Sequence, residues 1–462
     1  MISFDLVSAL AAALPVGAKI IPAGEGTAAY DKDESGLPRF PPQAVVLARD
    51  VADVQGVLRF SQLHKVPVVP RGGGSGKSGG ALAEKGGIVL SLEKLDKILE
   101  IHPADGVCVV EPGVILENLQ KAVEAQGLFY PPDPNSQQWC TLGGNLAHNA
   151  GGPRALKYGV TRDYVLGVEA VLPTGELIKA GHRSWKGVAG YDITQLLVGS
   201  EDTLAVITKA ILKVIPLPRA VSTMIAFFAD EDAAALGVQK IFGAGLLPRA
   251  CELLDGPTMR YVSPKAPFKF PDNVGGALIV EHDGNSDDAV MEELAKSGEM
   301  CAEAGAIDVV AAQDEAQRRR IWETRRMIST ALTAVRPFKI SEDVAVPRSQ
   351  LIELIRRVRQ IGERYRLPTA CYGHAGDGNL HANLLFGSAE ERDQSHAAVD
   401  ELLQAAIDLG GTITGEHGVG MAKRAFLAKE QSPQLIELQR RIKQAFDPDD
   451  LLNPGKILPA RK

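Results

Sequence analysis

Apolar and polar positions alternate with two periods along the first half of the chain, one typical of helices and one typical of strands. After Asp50, apolar residues recur at helical spacing as far as Lys65, so we predict a helix with Asp50 as its N-cap. Strands are predicted at Val66–Pro70, Ile88–Leu92 and Val107–Val110, and another helix at Ile115–Gln126, ending before Gly127. This alternation continues to about Pro218, where we predict a domain boundary.

The pattern changes after residue 218. Longer amphipathic helices, Asp287–Ala304 and Ser349–Arg366, separate strand-like runs such as Ala277–Glu281, and a further helix is predicted at Pro433–Phe446. A chain of 462 residues suggests two or three domains at about 150 residues each. We predict a first domain at 1–218, a second at 219–420, and a segment at 421–462 that is too short to fold alone and packs on an earlier part.

Composition excludes several classes of protein. The 57 Asp and Glu exceed the 50 Lys and Arg, giving a net charge of −7, and the chain has no basic tract, which argues against binding nucleic acid. It has no apolar run of about 18 residues, so no membrane span is predicted. The five cysteines show no Cys-x-x-Cys spacing and the N-terminus has no basic region before its apolar stretch. We therefore expect a cytoplasmic protein with no iron–sulfur cluster of its own.

Glycine is abundant, with 47 residues, and it is concentrated in the segments 72–87, 143–159, 373–378 and 410–420. The first of these follows a predicted strand, where successive glycine N–H groups can converge on an anion. Gly74-x-Gly76-x-x-Gly79 resembles a dinucleotide motif and Gly76-Lys77-Ser78 the end of a nucleotide-triphosphate loop, but both motifs require a helix that the following residues do not predict. A loop that binds a diphosphate without a following helix fits better.

Three ordered motifs resemble the vanillyl-alcohol oxidase/PCMH superfamily of flavoproteins. They are Pro70-Arg-Gly-Gly-Gly-Ser-Gly-Lys-Ser-Gly-Gly80, then Tyr130-Pro-Pro-Asp-Pro-Asn with Cys140-Thr-Leu-Gly-Gly-Asn145 and Asn149-Ala-Gly-Gly152, and finally Val188-Ala-Gly-Tyr-Asp192 through Leu197-Val-Gly-Ser-Glu201 to Ile207. The branch is that of D-lactate dehydrogenases, D-2-hydroxyglutarate dehydrogenases and the glycolate oxidase catalytic subunit, and the likeness extends to the C-terminus.

The resemblance implies an α+β fold: a PCMH-type FAD-binding domain of two α+β subdomains, and an α+β substrate domain with a large antiparallel sheet that caps the flavin. No histidine lies between Arg71 and Gly80, so we expect non-covalent FAD. The residues that the resemblance assigns to FAD are Pro70, Arg71, Gly72, Gly73, Gly74, Ser75, Gly76, Ser78, Pro132, Asp133, Thr141, Gly143, Gly144, Asn145, Asn149, Gly151, Gly152, Glu201, Ile207 and Asn453.

A histidine cluster can be interpreted without any family. The turn residues 376–379 separate two strand-like runs, so a hairpin would bring His374 and His381 to neighbouring strand positions. Gly415-Glu416-His417 adds a carboxylate and a further imidazole between glycines. Two histidines and one carboxylate suit a catalytic divalent metal, with Zn²⁺ favoured and Mn²⁺ or Fe²⁺ as alternatives.

The resemblance assigns roles to this cluster. It implies that His374, His381 and Glu416 bind the metal and that His417 is the base. The substrate carboxylate needs a cationic partner, and Trp322-Glu-Thr-Arg325 matches the Trp-x-x-Arg of the family, so Arg325 is the choice, since a guanidinium offers two parallel donors. Further candidate substrate contacts are Ser329, Lys339 and Asn383, of which Asn383 is also a candidate for the metal shell.

Three positions depart from the family pattern. The family has leucine at Lys77 and glycine at both Asp202 and Ala205. Asp202 brings a carboxylate near the predicted flavin, and Lys77 is a hypothetical counter-charge for it.

The sequence therefore predicts an FAD-dependent, metal-assisted oxidation of a D-2-hydroxy acid, of the lactate, glycolate or 2-hydroxyglutarate class, to the 2-oxo acid. The electron acceptor would be a quinone, a cytochrome, an electron-transfer flavoprotein or an iron–sulfur partner subunit. A homodimer, a subunit of a larger complex and a peripheral location at the inner membrane face remain open. The alternatives are a flavoenzyme like alkylglycerone-phosphate synthase, a P-loop-like nucleotide-binding protein, and a non-catalytic flavin-binding subunit.

Overall fold

The computed structural model describes residues 5–393 and 395–460. The strands, in chain order, are β1 (Lys19–Pro22), β2 (Ala44–Leu47), β3 (Val68–Arg71), β4 (Ile88–Ser91), β5 (Ile98–His102), β6 (Val107–Val110), β7 (Leu128–Phe129), β8 (Val165–Val171), β9 (Leu177–Gly181), β10 (Val206–Lys213), β11 (Ile215–Pro216), β12 (Ala220–Phe228), β13 (Ala250–Asp255), β14 (Gly276–Gly284), β15 (Ala306–Ala311), β16 (Phe338–Ala345), β17 (Thr369–His374) and β18 (Asn379–Phe386).

The helices alternate with these strands. In chain order they are α1 (Leu6–Ala13), α2 (Val51–His64), α3 (Leu116–Glu124), α4 (Leu142–His148), α5 (Ala155–Tyr158), α6 (Ile193–Leu197), α7 (Glu231–Gly243), α8 (Gly256–Val262), α9 (Asp287–Glu303), α10 (Glu315–Arg326), α11 (Ile328–Val335), α12 (Leu351–Tyr365), α13 (Ala389–Asp393), α14 (His396–Asp408), α15 (Leu427–Glu430) and α16 (Pro433–Phe446). Within the described residues, no helix combines the length and the apolar character that a membrane crossing needs.

The chain forms two compact units, each built from separate stretches of sequence. Unit 1 contains the described residues as far as Ala150, Val160–Leu217 and those from Glu416 onward. Unit 2 contains Gly151–Gly159 and Pro218–Gly415.

Unit 1 holds two larger sheets of different kinds and a two-stranded sheet of β7 and β11. The first has the order β1-β2-β4-β3, with β2, β4 and β3 parallel, and every residue of those three strands is buried. Continuous apolar runs such as Ala44–Leu47 are typical of parallel strands covered on both faces. The second sheet is antiparallel, with the order β5-β6-β10-β8-β9. Helix α2 packs in the core of the first sheet and starts where predicted, since Asp50 accepts from the Asp53 N–H at 3.0 Å.

Unit 2 is built on one antiparallel sheet of seven strands, in the order β15-β12-β14-β13-β17-β18-β16. The short segment Gly151–Gly159 belongs here because Lys157 Nζ and Tyr158 Oη both donate to the Asp283 carboxylate on β14, at 2.7 and 2.8 Å. The predicted α+β class and the large antiparallel sheet are confirmed.

Strand register decides which side chains of this sheet share a face. Glu252 on β13 pairs with His374 on β17, and His374 pairs with Asn379 on β18. Two positions away on β17 and β18, Tyr372 pairs with His381. Since side chains of paired residues point to the same face, all five lie on one face of the sheet. Helices α8, α10 and α11 contribute to the hydrophobic core that includes Tyr372.

Candidate active site

The glycine-rich loop of unit 1 follows β3 directly and runs from Arg71 to the start of β4 at Ile88. Every residue of this loop is described, and none of them is helical. Both nucleotide motifs suggested by the loop require a helix there, so the structure opposes the P-loop interpretation and the dinucleotide motif alike.

Two loop glycines leave no room for a side chain. A Cβ on Gly72 would lie 2.2 Å from Thr141 Oγ1, and one on Gly73 would lie 2.6 Å from the Trp139 carbonyl oxygen. Thr141 is the N-cap of α4. The structure therefore packs the first predicted flavin motif closely against the Cys140–Asn145 part of the second, which explains why glycine occupies these positions.

Three buried donors in this region have no hydrogen-bond partner among the described residues. They are Arg71 Nη1, Ser78 Oγ and Asn145 Nδ2. The other terminal nitrogen of Arg71, Nη2, donates to the carbonyl oxygens of Ala29 and Lys32, and burial lowers the pKa of this guanidinium. A buried donor without an acceptor costs free energy, so these three groups indicate a ligand that carries acceptor oxygens.

A cavity of about 460 Å³ adjoins the loop. Its lining includes Arg71, Gly72, Gly73 and Thr141, together with Tyr30 and other residues that the sequence did not single out, such as Glu93 and Asn118. A volume of this size suits a substantial part of a dinucleotide. The cavity and the unpaired donors fit FAD, whose diphosphate oxygens are acceptors.

The remaining predicted flavin residues are distributed as follows. Glu201 is buried and accepts from the N–H groups of Val419 and Gly420 at 2.7 and 2.8 Å, and Asn453 donates to the carbonyl oxygens of Gly80 and Glu201 at 3.1 and 2.8 Å. These bonds hold the C-terminal stretch of unit 1 beside the glycine loop. Elsewhere in unit 1 lie Pro70, Gly74, Ser75, Gly76, Pro132, Asp133, Gly143, Gly144, Asn149 and Ile207, whereas Gly151 and Gly152 belong to unit 2.

The departures from the family pattern have distinct environments. Asp202 has a φ of 52°, a conformation that suits glycine, and burial together with the neighbouring Glu201 raises its pKa to about 7. Lys77 is exposed and forms no ion pair with Asp202 in the described structure, so the hypothesis that it is the counter-charge finds no support. Ala205 is buried in the core.

In unit 2, the predicted hairpin is formed by β17 and β18, with its turn at residues 375–378. His374 is the last residue of β17, and His381 is the third residue of β18. Their ring centroids are 5.6 Å apart and both side chains are buried. The hairpin therefore brings the two imidazoles together as predicted.

Glu252, which the sequence did not single out, joins two of the predicted site residues. Its Oε1 lies 2.5 Å from His374 Nδ1, and its Oε2 accepts from Arg325 Nε at 2.5 Å. Glu252 is completely buried. Burial alone would raise the pKa of Glu252, but the adjacent His374 and Arg325 outweigh it and lower that pKa to about 2.

Arg325 lies in the last turn of α10, with its guanidinium over the Tyr372 ring at 4.8 Å from the centroid. Tyr372 also contacts His381, with ring centroids 5.3 Å apart. Two other predicted residues meet each other: Lys339 Nζ donates to Ser329 Oγ at 2.7 Å. The structure thus brings together Arg325 and His374 through Glu252, and Lys339 with Ser329.

The amide group of Asn383 is directed into the sheet. Its Nδ2 donates to the carbonyl oxygens of Ala370 and His381, at 3.0 and 2.9 Å, and its side chain has no solvent exposure. Asn383 thus ties the backbone of β17 to that of β18, and contact with a substrate stays a prediction.

The segment that leads to Glu416 is held by Asp343 on β16. The Gly415 N–H donates to Asp343 Oδ2 at 3.0 Å, and Thr414 Oγ1 donates to the same carboxylate at 3.1 Å. Glu416 follows Gly415 directly. Ligand-capable atoms of His374, His381 and Glu416 all lie within 4.8 Å of one another, and His417 Nε2 is 3.8 Å from Glu416 Oε1.

This arrangement has the chemistry of a divalent-metal site. Two imidazoles and one carboxylate are a donor set that suits Zn²⁺, Mn²⁺ or Fe²⁺, with coordination positions remaining for water or a substrate. A carboxylate on the second nitrogen of a ligating histidine is a common feature of such sites, and Glu252 occupies that position for His374. The residues therefore fit a metal ion.

Sequence reasoning missed Glu252, Tyr372 and Asp343. A signal for Glu252 existed in β13, since this charged residue lies between the apolar Ala250 and Leu254 on one face of the strand. Nothing local predicted its partners, because β13 and β17 are paired across more than a hundred residues of sequence.

Two family descriptions match the chain: "FAD binding domain" over residues 42–181, and "FAD linked oxidases, C-terminal domain" over residues 217–457. The glycolate oxidase subunit GlcD of Bacillus subtilis is 39% identical over 434 residues, covering 94% of this chain and 92% of that protein. A D-lactate dehydrogenase of Archaeoglobus fulgidus is 37% identical, covering 95% of this chain and 98% of that protein.

Solved structures agree on the fold. The structure of p-cresol methylhydroxylase with substrate bound has a TM-score of 0.78 at 17% identity, covering 98% of this chain and 96% of that one. An alkyldihydroxyacetonephosphate synthase has a TM-score of 0.77 at 18% identity, covering 97% and 84%. At these identities the similarity concerns the fold alone. The matches in sequence lead to one conclusion: the chain belongs to the FAD-linked oxidases and is an FAD-linked oxidoreductase.

Proposed function

We propose that this chain is a metal-assisted D-2-hydroxyacid dehydrogenase that oxidises lactate, glycolate or 2-hydroxyglutarate to the 2-oxo acid. One observation carries the proposal: Glu252 binds both the His374 imidazole and the Arg325 guanidinium. A metal-ligating side chain and a carboxylate-binding side chain therefore share one small site. A 2-hydroxy acid has its hydroxyl and its carboxylate on adjacent carbons, which suits such a pair.

Arg325 is the proposed partner of the substrate carboxylate. Its guanidinium is buried, held through Nε and stacked on Tyr372, so its orientation is fixed before a substrate arrives. Pre-orientation lowers the entropy lost on binding, and charge-assisted hydrogen bonds to a carboxylate are strong. Lys339, held by Ser329, adds a second positive charge to the same unit and is a further candidate contact.

His374, His381 and Glu416 would hold the metal, and His417 would accept the hydroxyl proton as that proton is lost. The reaction removes this proton together with a hydride from the carbon that bears the hydroxyl, which leaves the 2-oxo group. A bound divalent metal polarises the hydroxyl and lowers its pKa, and bound FAD supplies the hydride acceptor. A neutral imidazole is a common proton acceptor in enzyme sites.

FAD would bind at the glycine loop of unit 1. The unpaired donors of Arg71, Ser78 and Asn145 support this assignment, since each needs an acceptor. The absence of histidine between Arg71 and Gly80 supports a dissociable cofactor. Reoxidation requires an external acceptor, for which we propose a quinone, a cytochrome, an electron-transfer flavoprotein or an iron–sulfur partner subunit.

The test is the visible spectrum of the purified protein before and after a panel of D-2-hydroxy acids under anaerobic conditions. We expect a yellow protein whose flavin absorbance bleaches with at least one of them, and a loss of this bleaching after a chelator and its return with Zn²⁺ or Mn²⁺. A protein with flavin that no D-2-hydroxy acid reduces would refute the proposed substrate class, and bleaching that survives complete metal removal would refute the role of the metal.

The base is tested with His417→Ala, for which we expect flavin reduction to slow by about 10²- to 10⁴-fold. His396→Ala is the matched control, because His396 is an exposed histidine at the start of α14. Unchanged reduction in His417→Ala would rule out this base. The same assay distinguishes the proposed dehydrogenase from the alkylglycerone-phosphate synthase alternative, since that chemistry involves no net oxidation of a hydroxy acid. The alternative is supported by similarity of fold alone.

A further inference from the structure

Glu252 stands at the centre of the unit 2 site although none of the motifs that the sequence analysis singled out includes it. It lies on β13, between β14 and β17 in the interior of the sheet, and has no solvent exposure. Each carboxylate oxygen has its own partner: Oε1 is 2.5 Å from His374 Nδ1, and Oε2 accepts from Arg325 Nε at 2.5 Å. One buried carboxylate therefore connects the imidazole and the guanidinium.

The bond to His374 has a chemical consequence. A carboxylate accepts and cannot donate, so the hydrogen bond requires a proton on Nδ1. A neutral imidazole then carries its lone pair on Nε2, which is the atom that binds a metal. Glu252 thus selects the tautomer of His374 that is competent as a ligand and fixes the orientation of the ring.

The bond to Arg325 has a parallel consequence. Holding Nε fixes the plane of the guanidinium, and the Tyr372 ring supports that plane from one side. The orientation in which Arg325 presents its donors is therefore coupled to the orientation of His374 through a single side chain.

A purely stabilising role explains Glu252 poorly. Buried ion-pair networks are often replaced by apolar residues without loss of stability, because desolvation of the charges offsets their attraction. Apolar residues already occupy the neighbouring positions of this face, Leu254 on β13 and Ile279 on β14. A carboxylate at this position is better explained by what it orients.

We propose that Glu252 is a positioning residue that sets the ligating tautomer of His374 and the orientation of Arg325, and so couples metal binding to recognition of the substrate carboxylate. This inference rests on the proposed function. It assigns to a residue of β13 a role that neither the histidine motif nor the Trp-x-x-Arg motif contains.

Glu252→Gln is the decisive variant because glutamine has nearly the same shape. Its Oε1 can still accept from Arg325 Nε, but its amide N–H then faces His374 Nδ1. The histidine must accept there, which moves the proton to Nε2, the metal-binding atom. We expect the Zn²⁺ dissociation constant to rise by about 10- to 100-fold, the range typical for loss of such a partner.

The readout is Zn²⁺ affinity of the full-length, FAD-loaded protein, measured by competition with a chromophoric chelator. Flavin content and thermal unfolding are recorded on the same samples. Glu252→Asp retains the acceptor and should recover part of the affinity. Asp255→Asn is the matched control, because Asp255 is a buried carboxylate on the same strand that accepts from the backbone N–H groups of Thr258 and Cys371.

The outcomes separate the two proposals. The positioning role is supported if Glu252→Gln binds Zn²⁺ more weakly than the wild type, Glu252→Asp recovers part of the affinity and Asp255→Asn loses none. Wild-type affinity in a folded Glu252→Gln protein overturns it, while the wild type still binds metal and the proposed function stands. If Glu252→Gln does not fold, Glu252→Asp is the test. Wild-type Zn²⁺ affinity with the shortened side chain overturns the positioning role of Glu252, and an intermediate Zn²⁺ affinity supports it. A wild type that binds FAD but no metal overturns both.

Discussion

Gly72→Ala is expected to weaken FAD binding for a steric reason that a second substitution removes. The φ angle of Gly72 lies outside the left-handed region, so alanine is allowed by the backbone. Its Cβ would nevertheless lie 2.2 Å from Thr141 Oγ1, more than 1 Å inside ordinary van der Waals contact. The next nearest atoms, Gly144 N and Thr141 Cβ, are 3.4 and 3.5 Å away. The clash therefore depends on one oxygen atom.

The size of the effect follows from that geometry. Overpacking of this kind costs about 1–3 kcal/mol. If the loop relieves the contact by moving away from its position beside the cavity, FAD affinity falls by about 5- to 150-fold. Thr141→Ala alone removes a weak cap bond to the Gly144 N–H, at 3.5 Å, and should cost about 1 kcal/mol or less.

The assay is fluorescence titration of the FAD-free protein with FAD for the wild type, both single variants and the double variant, with thermal unfolding of each FAD-free protein. The double variant Gly72→Ala/Thr141→Ala should bind FAD more tightly than Gly72→Ala, a coupling of about 1 kcal/mol or more. Equal affinities of the double variant and Gly72→Ala would refute the reasoning, because the added methyl group would then obstruct the cofactor itself.

Three further results are expected. Arg325→Lys should raise the KM for the hydroxy acid by at least about tenfold in steady-state assays, since an ammonium lacks the planar pair of donors, and an unchanged KM would contradict the carboxylate contact. Arg325→Met should also lower the free energy of unfolding in urea by about 3–5 kcal/mol, because Glu252 stays buried without its guanidinium partner. Between about pH 4 and pH 7 the folded state keeps a proton on Asp202 that the unfolded state releases, because the pKa of Asp202 is raised, so this group makes the free energy of unfolding fall as the pH rises. The free energy of unfolding of Asp202→Gly in urea should therefore exceed that of the wild type by more at pH 8 than at pH 5. An equal difference at the two pH values would disprove this. Acid precipitation should leave the flavin in the supernatant, and a yellow pellet would show a covalent link.

Much of the local structure was predictable from sequence. Asp50 caps α2 as predicted, because an N-cap acts through bonds within a few residues, and α16 spans Pro433–Phe446 as predicted. The hairpin of β17 and β18 was predictable for the same reason, since its turn residues determine which strand positions face each other. These elements carry the two histidines.

The parts that were missed depend on contacts between distant parts of the chain. Glu252 reaches its site through the pairing of β13 with β17, and no local pattern encodes that register. The placement of Gly151 and Gly152 in unit 2 was not predicted either, since it depends on the bonds of Lys157 and Tyr158 to Asp283, and contact of the two glycines with FAD stays a prediction. A single sequence gives the residue types needed for chemistry more readily than it gives the charged side chains that orient them.

The division of unit 1 into separated stretches affects how the chain folds during synthesis. Unit 2 has all its residues once Gly415 has been added, but unit 1, although begun first, still lacks Asn453 and its bonds to Gly80 and Glu201. At roughly 5–20 residues per second, the ribosome needs about 12–50 s to go from residue 217 to the end of the chain. During that interval the glycine loop lacks its C-terminal support. A chaperone or early binding of the cofactor would therefore protect the nascent protein most at this stage.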